Sequence, residues 1–287
     1  MEDLLAALHA VRHADPLPVH DLRAGLMHST SAVAAKAAAI AGDRLATTLI
    51  PDLVAAADRL FTKSDPQCLG KLAVVRALKA LEHTDPQVFL RGLRHVQMEP
   101  SWGGVVDTAG PLRALSALAL SECPAIAPRE ALRLLIDALV DPDVPTRIDV
   151  VRAIGQVKSL EADAVLRTKA RMGDRAPEVT GQCLTTLVER EGAAALPFAA
   201  SFLPDPDLRA EAAMAIAAQR GPEALDLLAA VWRRSREREV LLAIGTLRTP
   251  EAVAFLLPLL TEDRAARQAL EPCRHIPGVE DALAQSR

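Results

Sequence analysis

The sequence predicts an all-α protein built as a solenoid of short helices, and three observations carry that expectation. Half of its 287 residues are hydrophobic, yet only 2% are aromatic and there is no Tyr. A core of this chain must therefore be assembled from Ala, Leu, Val and Ile. Ala and Leu are good helix formers, and small side chains let helix axes approach closely. Similar phrases also recur along the chain at intervals near 30 residues, the spacing of stacked helical repeats. Finally, Asp-Pro and Gly-Pro dipeptides punctuate those phrases where helices should stop and start.

The repeat is clearest in the C-terminal half. "EADAVLRTKA", "GAAALPFAASFL", "GPEALDLLAAVW" and "TPEAVAFLLPLL" align on Val165, Leu196, Leu225 and Val253, which are 31, 29 and 28 residues apart. Leu225, Leu228, Ala229 and Trp232 fall at i, i+3, i+4 and i+7, as do Val253, Leu256, Leu257 and Leu260, so each phrase reads as an amphipathic helix A. Pro222 and Pro250 fit the first helical turn, where a missing N–H costs nothing. A second phrase alternates with the first: "DPDVPTRIDVVRAIG" from Asp141, "DRAPEVTGQCLTTLV" from Asp174 and "DPDLRAEAAMAIAAQ" from Asp205. Its Asp can accept from free N–H groups at a helix start, while Pro disfavours helix in the residue before it. Helix A ends there, the chain turns, and helix B begins, with Leu208, Ala212, Ala215 and Ile216 as the buried stripe of the last B helix.

These phrases, above all "FLPDPDLRAEAAMAIAAQRGPEALDLL", resemble HEAT repeats of the short bacterial type found in phycobilin-lyase subunits. The resemblance spans about Ser31 to Cys273 and is strongest from Asp141 to Leu260. "AVAAKAAAIAG" and "DPQCLGKLAVVRALKAL" look like earlier B helices, and "ATTLIPDLVAAADRLF" looks like an A helix kinked at Pro51. What the resemblance implies is a right-handed α-α superhelix of roughly seven or eight helix pairs. The expected organisation is one solenoid over 1–287, with residues 1–30 and 274–287 as caps and 95–110 as an inserted loop. Such a fold says little about activity.

The insertion follows from arithmetic. Asp141 to Asp205 spans 64 residues, but Asp65 to Asp141 spans 76, a surplus of 12 over two repeats. The helix near Asp85-Pro86 carries Phe89, Leu93 and Val96 on one face, and the next begins near Pro111 with Leu112, Leu115 and Leu118. The surplus is therefore "HVQMEPSWGGVVDTAGP", residues 95 to 111, read as an A-to-B loop. Gly103 and Gly104 free its backbone for a sharp turn or a close approach to a ligand. Trp102 offers the large amphipathic surface enriched at interaction hot spots. Asp107 and Thr108 precede the B helix and can cap it, and Glu99 adds a charge. The competing expectation is that Trp102 folds back over the thin solenoid.

Other candidates are weaker. Bases recur on the B helices, at Lys71, Arg76 and Lys79, then Arg113, then Arg147 and Arg152, and stacked they could hold carboxylates or phosphates. They could equally pair with Asp149, Asp137 or Glu82. His9 and His13 sit at i, i+4, but third and fourth metal ligands are not evident beside them. "WRRSRERE", Trp232 to Glu239, reads as the end of one helix and the start of another on a solvated surface. No nucleophile elbow, Gly-rich phosphate loop or His-Glu-x-x-His occurs, so no catalytic residue, metal or cofactor is assigned.

Composition narrows the function classes. A formal charge of −4 supplies no global attraction to nucleic acid or an anionic membrane. Cys68, Cys123, Cys183 and Cys273 are widely separated, which argues for reduced, buried thiols rather than zinc or a disulfide framework. Acidic Glu2 and Asp3 stand where a signal peptide carries bases, and no apolar run reaches spanning length, so the expected location is the cytoplasm. The first expectation is a non-enzymatic scaffold holding a protein or peptide partner in its groove, helped by Trp102, Gly103, Gly104, Asp107, Arg113, Arg147 and Arg152. The alternative is a nucleic-acid-binding, lyase-like or glycosylase-like HEAT protein acting on an anionic ligand. A glycosylase groove should hold several aromatic residues beside an Asp, and here only Trp102 and Asp107 are on offer.

Overall fold

The computed structural model describes residues 13 and 16–285, and among these the chain folds into two compact units, Met1–Ser159 and Leu160–Arg287. The first unit contains α1 (Val19–Leu26), α2 (Ser31–Asp43), α3 (Ile50–Thr62), α4 (Leu69–Ala80), α5 (Gln87–Leu93), α6 (Gly110–Glu122), α7 (Pro128–Ala138) and α8 (Val144–Gln156). Helices α2, α4, α6 and α8 stack successively on one another, and α1, α3, α5 and α7 each pack on the following member of that row. Two helical layers result, as the alternating phrases require.

Composition decides which layer a helix joins. In α2, "SAVAAKAAAIAGD", residues on almost every side are buried: Val33, Ala34, Ala35, Ala37, Ala38, Ile40, Ala41 and Gly42. Only a helix of small side chains can be covered so completely while its neighbours stay close. In α3 the buried residues are Leu53, Ala56, Ala57 and Leu60, one stripe at i, i+3, i+4 and i+7. Burying Leu53 and Leu60 contributes about 2 kcal/mol each. Asp143 caps α8 by accepting the Thr146 N–H at 2.9 Å, and Asp65 caps α4 by accepting from the Gly70 and Lys71 N–H groups, each at 2.9 Å.

The second unit repeats the plan with α9 (Leu160–Met172), α10 (Pro177–Glu191), α11 (Leu196–Ala200), α12 (Arg209–Ala217), α13 (Pro222–Ser235), α14 (Arg238–Thr246), α15 (Pro250–Leu256), α16 (Arg264–Leu270) and α17 (Val279–Gln285). Here α10, α12, α14 and α16 form the stacked row. The row is tightest at Gly245, where an added Cβ would lie 1.9 Å from the Ala269 carbonyl oxygen. Pro222 and Pro250 occupy first helical turns, as their spacing predicts. Trp232 is buried in T-shaped contact with Phe255, the ring centroids 5.8 Å apart. Arg236 covers its ring at 4.1 Å.

Three expectations change. Pro51 does not kink a helix: a 3-10 turn at Thr47–Leu49 leads into α3, whose first turn holds Pro51. "GAAALPFAASFL" is not one amphipathic helix but a 3-10 turn, Gly192–Ala195, followed by the five residues of α11. The protein is also not purely helical, because residues 95–110 are not an irregular loop. They contain an antiparallel hairpin, β1 (Met98–Ser101) and β2 (Gly104–Asp107), between α5 and α6.

Candidate functional site

The hairpin pairs Met98 with Asp107, Glu99 with Val106, Pro100 with Val105 and Ser101 with Gly104, leaving Trp102 and Gly103 as a two-residue turn. Gly103 has φ +93°, a conformation that costs a residue with a Cβ about 1–2 kcal/mol, so this glycine is required by the turn itself. Trp102 sits at the tip and is fully exposed, at 103% of its reference area. It makes no fold-back over the helices, so the packing expectation for it is overturned.

Polarity along the first strand runs opposite to that of a surface strand. His95, Gln97 and Glu99 are half-buried, while Val96, Met98 and Pro100 between them are exposed. A strand packed on a core normally turns its apolar residues inward. Here the inward residues are polar because they meet a polar network at the A-to-B turns, and the outward ones are left in water. On the second strand Val105 and Val106 are both exposed as well.

That network fixes the hairpin's base. Lys71, only 2% exposed, donates to the Gln97 Oε1 at 2.7 Å and lies 3.6 Å from the Asp65 carboxylate. The Gln97 amide donates to the Asp65 carbonyl at 2.7 Å and to the Glu99 carboxylate at 2.6 Å. Glu99 in turn accepts the Gln67 N–H at 2.8 Å. Gln67 and Cys68 both have left-handed backbone, φ 56° and 54°, a strain of about 1–2 kcal/mol each that these bonds offset. Phe61 meets the His95 ring edge-on at 5.3 Å.

On the other side Arg113 binds three groups at once. Its guanidinium takes Asp141 as a fork at 2.6 and 3.0 Å, Asp107 at 2.6 Å and the His95 carbonyl at 3.0 Å. Burial opposes the Arg113 charge, but the two carboxylates outweigh it and hold the proton more tightly than usual. Burial likewise raises Asp107, and is outweighed by the Gln97 and Ala109 N–H donors and by Arg113, so its carboxyl lies below the usual range. Asp107 accepts the N–H of Ala109, the residue just before α6, and its bond to Arg113 is an addition.

The basic stripe does not form a free anion site. Lys71 and Arg113 are buried in the pairs just described, and Arg147, 9% exposed, donates to the Asp141 and Pro142 carbonyls at 2.7 and 3.2 Å. Lys79 pairs with Glu122 at 2.5 Å and Arg152 with Asp149 at 2.8 Å. Of the predicted stripe, Lys71, Arg113 and Arg147 are spent on holding turns, Lys79 and Arg152 pair with carboxylates near the surface, and Arg76 is exposed. A cleft of about 320 Å³ near Lys79 is lined by Glu82, His83, Phe89, Glu122 and Cys123. The cysteines at 68, 123, 183 and 273 are free and buried, and burial pushes the Cys183 thiol up to about 12. Among the described residues no group of His, Cys, Asp and Glu could hold a metal ion; His9 lies outside them and His13 is exposed. No described helix is long and apolar enough to cross a membrane. "WRRSRERE" divides between the end of α13 and the start of α14, as expected.

No protein-family model matches the sequence, and no curated protein does. Solved structures do resemble it. The complex of CpcE and CpcF of phycocyanin lyase from Nostoc sp. PCC7120 is 17% identical, covers 96% of this chain and 97% of its own, and superposes with a TM-score of 0.37. An engineered protein is 18% identical over 99% and 86%, with a TM-score of 0.38. Human deoxyhypusine hydroxylase is 20% identical over 94% and 89%, with a TM-score of 0.31. At these values no activity passes from any of them to this chain. The helical-repeat class rests on the stacked layers themselves.

Proposed function

We propose that this chain is a non-enzymatic helical-repeat scaffold that docks a protein or peptide partner through the Met98–Asp107 hairpin. One observation carries the reading: a fully exposed Trp102 at the tip of a hairpin whose base is locked by buried charges and on which Val96, Met98, Val105 and Val106 are exposed as well. Met98 and Val105 lie on one face of the hairpin with Pro100, Val106 lies on the other, and Trp102 stands exposed at the tip, and exposed apolar residues grouped in this way often mark interaction sites. Rigid support matters because a partner then pays little to order the contact. Pairing of Lys71, Arg113 and Arg147 weighs against the anionic-ligand alternative, since those cations already have acceptors.

The test is comparative capture with the full chain and its Trp102→Ala variant, followed by purification of any protein retained by the first alone. Loss of a central Trp costs 2 kcal/mol or more, so the variant should bind the purified partner at least about 30-fold more weakly. Equal affinity of the two proteins would remove the hairpin from the reading.

A further inference from the structure

We propose that a cleft on the stacked row of the first unit binds a short apolar peptide with free termini. The cleft measures about 320 Å³, at the lower end for small-molecule sites, and is lined by α4, α6 and the start of α8. The insertion accounts for its position: α4 and α6, which flank the hairpin, pack less extensively than α2 with α4 or α6 with α8. The space left open has an apolar lining of Leu72, Leu115 and Leu118, all half-buried, with Pro111 and Pro145 at its edge.

Charges of both signs border that lining. Of the predicted basic stripe, Arg76 alone meets no acceptor among the described residues, and it lines the cleft from α4. Asp143 and Asp149 line it from the α8 side. Asp143 uses Oδ2 to accept the Thr146 N–H at 2.9 Å and its hydroxyl at 2.7 Å, and Asp149 uses Oδ1 to accept from Arg152 at 2.8 Å. The second oxygen of each takes no donor among the described residues. The set fits an occupant that is apolar in the middle, anionic at the end beside α4 and cationic at the end beside α8. A simple carboxylate would face Asp143 and Asp149, and a simple amine would face Arg76, so neither matches the whole cleft.

Length selects among zwitterions. Neighbouring helices lie about 8–10 Å apart, which puts α4 and α8 roughly 16–20 Å apart with α6 between them. The ammonium and carboxylate of a single amino acid share one carbon and cannot reach both walls. An extended peptide of three residues spans about 10 Å, and the long Arg76 side chain closes the remaining gap. Its carboxylate accepts from the planar Arg76 guanidinium, its ammonium meets Asp149, and its apolar side chains lie on Leu115 and Leu118. No residue of the hairpin takes part, so this site goes beyond the docking reading and is independent of it.

Saturation-transfer NMR on the purified full chain, with the peptide Leu-Ala-Leu as probe, should give a Kd of about 0.1–1 mM. The N-acetyl and C-terminal amide forms of the peptide each lack one charge and should bind about tenfold more weakly. Arg76→Gln changes an exposed side chain and should keep the wild-type melting temperature. It should weaken the free peptide by the same factor and leave the amide unaffected, because the two deletions remove one and the same contact. Asp149→Asn should likewise weaken the free peptide and spare the N-acetyl form. Trp102→Ala should leave every affinity unchanged. Absence of saturable binding up to about 10 mM overturns the inference, as does an Arg76→Gln loss that is as large for the amide as for the free peptide. Loss of binding in Trp102→Ala would place the peptide on the hairpin and overturn it too. None of these results decides the capture experiment, so the two readings can fail separately.

Discussion

Replacing Arg113 with Met tests the claim that buried charge, not apolar packing, holds the hairpin on the first unit. Arg113 is 7% exposed at its side chain, and its partners Asp141 and Asp107 are 8% and 19% exposed. Met fills a similar volume but makes none of the bonds to Asp141, Asp107 and the His95 carbonyl, leaving two poorly solvated carboxylates facing one another. Removing one partner of a buried ion pair costs about 3–5 kcal/mol, because the charge left behind is uncompensated. For a unit of this size each kcal/mol lowers the midpoint by about 2–4 °C, so the first unit should melt roughly 6–20 °C lower. Arg113→Lys keeps the charge but not the fork, and should fall between the two. The assay is thermal and urea unfolding by circular dichroism, read beside the fluorescence of Trp232, which lies in the second unit and should not move. A loss below about 1 kcal/mol would mean that the pairs are surface-like in energy, and the account of the hairpin's base would be wrong.

In the second unit, Gly245→Ala drives a Cβ into the Ala269 carbonyl and should cost about 3 kcal/mol or more, seen as an earlier loss of Trp232 fluorescence. Glu211 has its carboxyl raised by burial and then by Glu178, so the folded state holds its proton to higher pH than the unfolded chain, whose ordinary value is 4.5. Its stabilising contribution is full below 4.5 and is lost as pH rises through the raised value. Glu211→Gln should therefore be more stable than wild type at neutral pH, with the gap closing in acid, and a gap independent of pH would refute this. For Asp107, lowered in the folded state, the sign reverses: its contribution is present above the ordinary 3.8 and is lost as pH falls through the depressed value. Asp107→Asn should destabilise the first unit at pH 7, and that cost should shrink progressively below pH 3.8 in acid titrations.

The helical layers were legible because their cause is local. Ala- and Leu-rich periods with Pro in first turns leave the backbone few other choices, and α13 and α15 begin where Pro222 and Pro250 say they should. Repeat arithmetic also located the insertion. Its form was hidden because each strand is only four residues long, because Pro100 and Glu99 are poor strand formers, and because Trp-Gly is not the Asn-Gly turn that announces a hairpin. A period of two was nevertheless there, in Val96, Met98 and Pro100 against His95, Gln97 and Glu99. The fate of the bases was legible too, in a spacing: Lys71, Arg113 and Arg147 each stand six residues after a turn Asp, at 65, 107 and 141. A cation at a fixed offset from a turn Asp in these three turns marks an internal contact, to the carboxylate for Lys71 and Arg113 and to the backbone carbonyl for Arg147. What no single sequence conveys is that Trp102 has nothing to pack on, because that depends on how far the hairpin stands from the helices.

The same spacing explains why the hairpin sits where it does. After Asp174 and Asp205 the sixth residue is Thr180 and Glu211, so the cation no longer stands at that offset; Lys169 of the preceding helix pairs with Asp174 at 2.8 Å instead, and Thr180 is left with a buried hydroxyl that has no partner. An insertion at an A-to-B turn separates two turns that would otherwise contact directly, and it survives only if its own polar groups replace those lost contacts. Gln97, Glu99 and Asp107 do this because Lys71 and Arg113 are there to be bridged. Inward polarity is thus the condition for carrying the insertion at all, and in a strand whose residues alternate it sends Val96, Met98 and Pro100 outward. Exposed apolar surface at Val96, Met98 and Pro100 is consequently built in by the way the hairpin is anchored.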